Sequence, residues 1–219
     1  MSRVAAFFDM DRTVVRANTG PLYLAYAYRH GRLRKRYLAI GAWWTLLYKA
    51  TVLDTDSAVR RAIATLKGDV ANDLSSFCRR WFELDVLPEI SRSARRAIEL
   101  HRTRGDVLVL LTASTTFTAE PVAEHLSLDH LLATRLEVDD SGRLTGGVID
   151  PPCLGDGKVV WAERLAERED IDLDSSFFYT DSVHDMPMLL RVGTPVIVNP
   201  DFRLARLARR RRWRIERWD

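Results

Sequence analysis

Four short apolar runs, each followed at once by a polar residue, constrain the fold of this chain more than any other feature. Runs of this length that are rich in β-branched and aromatic residues are typical of buried parallel strands. The runs and the residues that follow them are Val4–Phe8 with Asp9, Val107–Leu111 with Thr112, Phe177–Tyr179 with Thr180 and Asp181, and Pro195–Val198 with Asn199. Ligands bind beyond the carboxyl ends of parallel strands, so a site is expected where these polar residues lie.

Helical patterns among these strands indicate the fold class. Ser91–Arg104 has apolar residues at helical spacing and reaches Gly105, a typical helix stop. Lys158–Arg168 is a second candidate helix, and Met186–Arg191 is a short third one. Strands that alternate with helices favour a doubly wound, Rossmann-like α/β core with a parallel sheet.

The segment from residue 16 to residue 90 breaks this alternation and has few strand-like runs. We therefore predict a small helical cap domain over residues 16–90, inserted after the first strand. Residues 1–15 and 91–219 would then form the α/β core.

Two further elements are predicted in the second half of the chain. Thr134–Asp139 and Arg143–Ile149 flank a turn and together indicate a β-hairpin. The stretch from Phe202 to Arg217 is basic and aromatic, and its leucines and alanines at helical spacing favour a final helix packed on the sheet.

Composition narrows the class of protein. Hydrophobic residues make up 47% of the chain and charged residues 29%, which is typical of a soluble globular domain and excludes a collagen or a disulfide scaffold. The two cysteines, Cys78 and Cys153, are expected to be free thiols in a reducing compartment. No signal-peptide pattern is present, and the uncharged stretch Tyr37–Tyr48 is shorter than the roughly 20 residues that span a bilayer. A cytoplasmic protein is therefore expected.

Two acidic clusters follow predicted strands. Asp9 and Asp11 could face one pocket if the chain turns there, and paired carboxylates need a cation or a shared proton. Mg²⁺ is the natural partner because it prefers oxygen ligands. Asp181 could complete a metal site, and Asp185 could orient a ligand or a water behind it. Taken alone, each cluster has a simpler interpretation, a solvated turn for the first pair and helix capping by Asp and Ser for the second.

A hydroxyl and a lysine complete the pattern. Thr112 is followed by Ala113 and further hydroxyl residues, and free backbone N–H groups at a strand-to-helix turn can cradle phosphate. Lys158 lies at a predicted helix start, where a cation opposes the helix dipole, so an anionic partner would relieve the conflict. The alternative for Lys158 is exposure to solvent.

In order and position these residues resemble the motifs of the haloacid dehalogenase-like hydrolase superfamily. Those motifs are Asp-x-Asp-x-Thr, a Ser or Thr, a Lys and an acidic pair, and here they fall on Asp9–Thr13, Thr112, Lys158, and Asp181 with Asp185. The resemblance covers the whole chain. The helical insert is similar to the cap of subfamily IB, which includes phosphoserine phosphatase, and Thr180–Leu189 is similar to the fourth motif of that subfamily.

The resemblance implies a Mg²⁺-dependent phosphatase that acts on a small phosphorylated metabolite through an aspartyl-phosphate. Asp9 would attack phosphorus, while Asp11 would act as general acid and then as general base. Mg²⁺ would be held by the side chains of Asp9 and Asp181 and by the backbone carbonyl of Asp11. The residues expected to support this chemistry are Thr112, Ala113 and Lys158 around the phosphoryl oxygens, and Asp185 and Ser182 behind the metal ligands.

Two residues depart from the family pattern. Arg12 stands where many relatives have Gly, and its side chain is expected either to point away from the site or to contact the cap. Asn18 falls where phosphoserine phosphatases place a cap glutamate for the substrate amine, which disfavours phosphoserine as the substrate.

The cap gives the least explicit signal about the substrate. It carries many aromatic residues among basic ones, which suits an ordinary amphipathic helix pair or contact with an anionic membrane surface. The residues concerned are Tyr23, Tyr26, Tyr28, Tyr37, Trp43, Trp44 and Tyr48 among Arg29, Arg32, Arg34, Lys35 and Arg36.

Three functions therefore stay open at this point. The resemblance favours a phosphatase of a small metabolite. The alternatives are a membrane-peripheral phosphatase of phospholipid head groups and a non-catalytic anion-binding protein of the same fold. Nucleic-acid binding is the least favoured partner because no recognised motif accompanies the basic C-terminal run.

Overall fold

The computed structural model describes residues 2–32 and 55–219. In chain order its strands are β1 (Ala5–Phe8), β2 (Val107–Thr115), β3 (His130–Thr134), β4 (Leu136–Val138), β5 (Leu144–Val148), β6 (Phe177–Thr180), β7 (Thr194–Val198) and β8 (Arg214–Glu216). Six of them form one sheet in the order β3-β2-β1-β6-β7-β8, and all neighbours are parallel. The predicted parallel α/β core is therefore confirmed.

Helices cover both faces of this sheet and fill the described parts of the insert. They are α1 (Thr19–Arg29), α2 (Thr55–Ala64), α3 (Ala71–Trp81), α4 (Arg92–Arg104), α5 (Thr116–His125), α6 (Asp156–Glu169), α7 (Met186–Arg191) and α8 (Phe202–Arg211). None of the helices in residues 2–32 and 55–219 combines the length and the apolar character needed to cross a bilayer.

The core has two layers because alternate residues of each strand face opposite sides of the sheet. Phe8 of β1 packs in one layer with Ile98 of α4 and Val122 of α5. Phe7, its neighbour, packs in the other layer with Leu165 of α6. Burial on both faces explains why the strands are continuous apolar runs rather than alternating patterns.

All four predicted strands are present, but β2 extends further than predicted. It continues past Leu111 to Thr115, with an irregular register against β3, and α5 begins only at Thr116. The expected strand end at Thr112 is therefore wrong. Pairing of Thr115 with Thr134 of β3 keeps the chain extended, and β3 itself was not predicted.

The predicted helix from Phe202 to Arg217 is also too long. Helix α8 ends at Arg211, and Arg212 adopts a left-handed conformation with φ 57°. The chain then turns into β8, which pairs in parallel with β7 at the sheet edge. The partly buried Trp213 and Ile215 pack on the core from alternate positions, a strand period that overrides the helical one.

The predicted hairpin is present and packs against the helical insert. Strands β4 and β5 pair antiparallel, and Leu136 and Leu144 cluster with Ile63 of α2 and Leu74 of α3. The described part of residues 16–90 is largely helical, as expected. The stretch Tyr37–Tyr48, with Arg34, Lys35 and Arg36, lies outside the described residues.

A buried histidine joins α4 to the sheet. Nδ1 of His101 lies 2.7 Å from the Asp106 carboxylate and Nε2 lies 2.9 Å from the Tyr179 hydroxyl. Phe8 stacks on Tyr179 at a centroid distance of 4.8 Å. Burial lowers the pKa of His101 below 6.5, against the opposing effect of Asp106, so the neutral imidazole is the favoured form.

We expect this histidine to make stability depend on pH. Because the folded-state pKa lies below 6.5, the unfolded chain takes up the proton first, and the free energy of unfolding falls as pH falls from 7 towards 5. The slope from this group is at most about 1.4 kcal/mol per pH unit. Urea unfolding of the wild type and His101→Gln at several pH values checks this, since Gln retains a donor and an acceptor but no titration. Identical pH slopes for the two proteins would contradict the prediction.

Candidate active site

The register of the central strands brings the predicted site residues to one edge of the sheet. Phe8 of β1 is level with Leu110 of β2 and with Tyr179 of β6. The carboxyl ends of β1 and β6 therefore coincide, and β2 passes beside them before it ends at Thr115. Asp9, Thr112 and Asp181 each lie within two residues of this level.

A buried lysine lies between two of the predicted acids. Nζ of Lys158 is 2.9 Å from Oδ1 of Asp9 and 2.8 Å from Oδ1 of Asp185, and its side chain is only 2% exposed. Burial opposes the charged form, but Asp185 and Asp9 outweigh it and raise the pKa of Lys158 above its ordinary value. The ammonium group is therefore firmly protonated, and exposure of Lys158 to solvent is ruled out.

A glycine allows α6 to place Lys158 at this point. A Cβ atom at Gly157 would lie 1.9 Å from the carbonyl oxygen of Pro152, so no other residue fits without moving the backbone. Lys158 occupies the first turn of α6, where the helix dipole disfavours a cation. The carboxylates of Asp9 and Asp185 compensate for this placement.

Asp11 is held by the first turn of α1. The Thr19 N–H donates to Oδ1 of Asp11 at 2.6 Å, and Asn18 caps the helix by accepting from the Gly20 N–H at 3.1 Å. Burial raises the pKa of Asp11, and the hydrogen bonds from Thr19 partly oppose this. A carboxyl group with a raised pKa and a fixed orientation suits proton donation and acceptance.

Arg12 contacts an acidic residue of the site. Its Nε lies 3.1 Å from Oδ2 of Asp181. The residue has φ 55°, a left-handed conformation that is uncommon outside glycine. The sequence predicted that this side chain would point away from the site or reach the cap, and the contact with Asp181 corrects that expectation.

Burial dominates the pKa values of the acids of the site, although two cationic side chains lie beside them. Burial raises the pKa of Asp9, with Lys158 opposing it and Asp185 adding to it. Burial likewise raises the pKa of Asp181 to about 7, with Arg12 opposing it. A divalent cation between such carboxylates would offset their desolvation and mutual repulsion.

The donor chemistry fits Mg²⁺ at this position. Asp9 and Asp181 offer carboxylate oxygens, and the backbone carbonyl of Asp11 lies between them in the chain. Within residues 2–32 and 55–219, no three His, Cys, Asp or Glu side chains form a metal-binding group. The Mg²⁺ site expected from the sequence would not form such a group, because it uses only two carboxylate side chains. Its third protein ligand is a backbone carbonyl oxygen.

The segment that contains Thr112 and Ala113 is tied to the loop before α6 by one buried threonine. The hydroxyl of Thr134 donates to the Ala113 carbonyl at 2.9 Å and accepts from the Cys153 N–H at 3.1 Å. Thr112 is buried, and its Oγ1 accepts the Ser114 N–H at 3.2 Å. Thr134 thus links the strand with the predicted phosphate contacts to the loop that leads to Lys158.

The second acidic cluster is organised by hydroxyl groups. Thr180 donates its hydroxyl to Oδ2 of Asp185 at 2.6 Å, which leaves Oδ1 of that carboxylate directed at Lys158. Ser182 donates its N–H to Thr180 Oγ1 at 3.1 Å, and its own Oγ accepts the His184 N–H at 3.2 Å. Asp185 therefore supports the site through Lys158, whereas the side chain of Ser182 caps a short helical turn.

Three threonines that the sequence did not assign to the site hold its groups in place: Thr19 and Thr180 bond the carboxylates of Asp11 and Asp185, and Thr134 bonds the backbone at Ala113. Thr180 could have been found, because it adjoins Asp181 at a predicted strand end. Thr19 follows the helix cap Asn18, but nothing in the sequence links it to Asp11. Thr134 gave no signal, since its role depends on β3, which was not predicted.

Comparison with known proteins identifies the family. Residues 6–190 match the haloacid dehalogenase-like hydrolase family. The chain is 28% identical to histidinol-phosphatase of Neisseria meningitidis, over 95% of this chain and 96% of that protein. It is 33% identical to phosphoserine phosphatase SerB1 of Mycobacterium tuberculosis, over 96% of this chain and 70% of that protein.

Solved structures agree on the fold. A phosphoserine phosphatase captured as a phospho-aspartyl intermediate analogue superposes with a TM-score of 0.71 at 21% identity, over 98% of this chain and 93% of that one. The chain belongs to the haloacid dehalogenase-like hydrolase family, which confirms the resemblance found in the sequence. Within that family it is similar to the phosphoserine phosphatase-like subfamily.

We expect Thr134 to stabilise the folded state through its two hydrogen bonds. Thr134→Val leaves the Ala113 carbonyl and the Cys153 N–H buried without this partner, so the free energy of unfolding should fall by about 1–3 kcal/mol. Thr134→Ser retains the hydroxyl and should lose clearly less. Chemical denaturation of the three proteins measures both effects. A Val variant as stable as the wild type would show that the threonine does not join these segments.

Proposed function

We propose that this protein is a Mg²⁺-dependent phosphomonoesterase that acts on a small phosphorylated metabolite through an aspartyl-phosphate. The observation that carries the proposal is the buried bridge of Lys158 between Asp9 and Asp185, at 2.9 and 2.8 Å. The bridge positions one oxygen of Asp9 beside the ammonium group of Lys158, while the Thr19 N–H holds Asp11 separately. Membership of the hydrolase family supports the same reading.

Asp9 is the proposed nucleophile. Its carboxylate oxygen forms a bond to phosphorus as the bond between phosphorus and the leaving oxygen breaks, and Asp11 gives that oxygen its proton. Asp11 then takes a proton from water as the water attacks phosphorus, which releases inorganic phosphate and restores Asp9. Burial raises the pKa of Asp11, which favours the protonated form that the first step needs, and the Thr19 N–H fixes the orientation that both steps need.

Binding of the phosphoryl group is assigned to three residues. The ammonium of Lys158, the hydroxyl of Thr112 and the backbone N–H of Ala113 would contact its oxygens. Phosphoryl transfer depends mainly on positioning and on neutralising oxygen charge, which these groups supply. Lys158 is suited to this because Asp185 and Asp9 keep it protonated inside the protein.

Mg²⁺ would be held by the side chains of Asp9 and Asp181 and by the carbonyl of Asp11. When bound, it would neutralise charge on the phosphoryl group and on Asp9. Because Asp181 pairs with Arg12 in this structure, metal binding would compete with that ion pair.

A small metabolite is favoured over a lipid head group by the described part of the cap. Arg29 forms an ion pair with Asp85, and the guanidinium of Arg32 lies over the Phe77 ring at 4.5 Å from its centroid. These two basic residues therefore contact their own protein, as in an ordinary amphipathic helix pair. Relatives named histidinol-phosphatase and phosphoserine phosphatase support the same substrate class.

The test is turnover of p-nitrophenyl phosphate and of a panel of phosphorylated metabolites. We expect EDTA to abolish activity and added Mg²⁺ to restore it. Asp9→Asn should lower the rate by at least roughly a thousandfold, because the amide is a poor nucleophile. Asp140→Asn, an exposed residue in the hairpin turn, is the matched control and should retain full activity.

Turnover that survives EDTA, or an Asp9→Asn variant as active as the control, would exclude the proposed chemistry. Inactivity of the wild type across a broad phosphate panel with Mg²⁺ present would instead favour the non-catalytic alternative.

A further inference from the structure

Helix α8 and the residue that follows it concentrate positive charge without acidic partners. The helix and the residue after it contain six arginines and no Asp or Glu. In residues 2–32 and 55–219, no carboxylate lies within ion-pair distance of any of them. The arginines are Arg203, Arg206, Arg209, Arg210, Arg211 and Arg212, and all are exposed.

The same helix face carries an exposed aromatic residue. Phe202 begins α8 and is 77% exposed, the largest exposure among the described large hydrophobic residues. It shares the outward face with Arg203, Arg206, Arg209 and Arg210, while Leu204 and Ala208 are buried against the sheet. The spacing of these residues is that of one helix face.

The other end of α8 opens on a groove that also combines apolar and cationic groups. The groove has a volume of about 480 Å³, and Leu190 on its wall is 55% exposed. Residues that line it include Leu190, Val192, Pro195, Trp213, Arg211 and Arg212. Both ends of the helix therefore present apolar side chains beside guanidinium groups.

We propose that α8 and this groove form a docking surface for an anionic phospholipid membrane. Guanidinium groups would contact lipid phosphates, while Phe202 and Leu190 would enter the boundary between head groups and acyl chains. Charge complementarity identifies the partner as an anionic surface. The exposed aliphatic Leu190 favours lipid over nucleic acid, because an aliphatic side chain gains from an acyl-chain phase but does not stack on bases.

This surface is separate from the residues assigned to catalysis. Helix α8 directly follows β7, so it begins at the sheet edge that carries Asp9 and runs away from it. None of the six arginines contacts a site residue among the described contacts. Membrane binding would therefore localise the enzyme and does not depend on which phosphate ester it hydrolyses.

The test is sedimentation of the full chain with vesicles of phosphatidylcholine, with and without phosphatidylglycerol, at low and physiological salt. We expect binding only to the anionic vesicles, weaker at the higher salt. The double variant Arg206→Gln/Arg210→Gln should lower the partition coefficient roughly tenfold, and Phe202→Ala roughly fivefold. Turnover of p-nitrophenyl phosphate should be unchanged in each variant.

The matched control is Arg92→Gln/Arg96→Gln, which removes the same charge from α4, where both arginines are exposed. It should change vesicle binding by less than about twofold. An equal loss in this control would show that net charge, and not the α8 surface, drives binding. Absence of sedimentation at low salt, or binding of a single-stranded oligonucleotide that competes out the vesicles and depends on Arg206 and Arg210, would overturn the proposal.

Discussion

The buried ammonium of Lys158 is the interaction on which the site depends. A charge inside a protein is costly unless it is paired and hydrogen-bonded, and loss of one partner of such a pair costs about 3–5 kcal/mol. Here two carboxylates from opposite ends of the chain meet the same nitrogen, at 2.9 Å for Asp9 and 2.8 Å for Asp185. Their convergence joins β1, α6 and the segment after β6 at the carboxyl edge of the sheet.

The rest of the site is arranged around this bridge by groups that fix each carboxylate. Thr180 orients Asp185, and the Thr19 N–H orients Asp11. Burial nevertheless outweighs these contacts and raises the pKa values of Asp11 and Asp181. Burial of these acids is unfavourable, and a bound cation would offset that cost. Without the cation, packing in the rest of the fold must compensate for it.

Much of the architecture could be predicted because buried parallel strands leave a clear pattern. The runs before Asp9 and Asp181 are short, apolar and followed by polar residues. The same pattern therefore predicts both a buried strand and a site residue at its carboxyl end. The place of Lys158 at a helix start suggested an anionic partner, but its assignment to the site rested on the order of the motifs. The hairpin of β4 and β5 was predictable from its turn.

The remaining features depend on contacts that sequence patterns do not carry. Strand β3 has an apolar run of only three residues, Leu131–Ala133, and the part of β2 beyond Thr112 pairs with it through Thr115 and Thr134. Strand β8 was predicted as helix because Leu204 and Ala208 have helical spacing. The helix in fact ends before Arg212, which has a left-handed conformation. Arg12 contacts Asp181 from a left-handed backbone conformation, which an arginine in the sequence does not predict.

The most direct measurement of the central claim is acid quenching during turnover of a phosphate ester with Mg²⁺, followed by mass spectrometry of the peptide that contains Asp9. We expect one phosphoryl group on Asp9 during turnover and none before substrate is added. Rapid turnover with the label on another residue, or with no covalent species at any quench time, would contradict it.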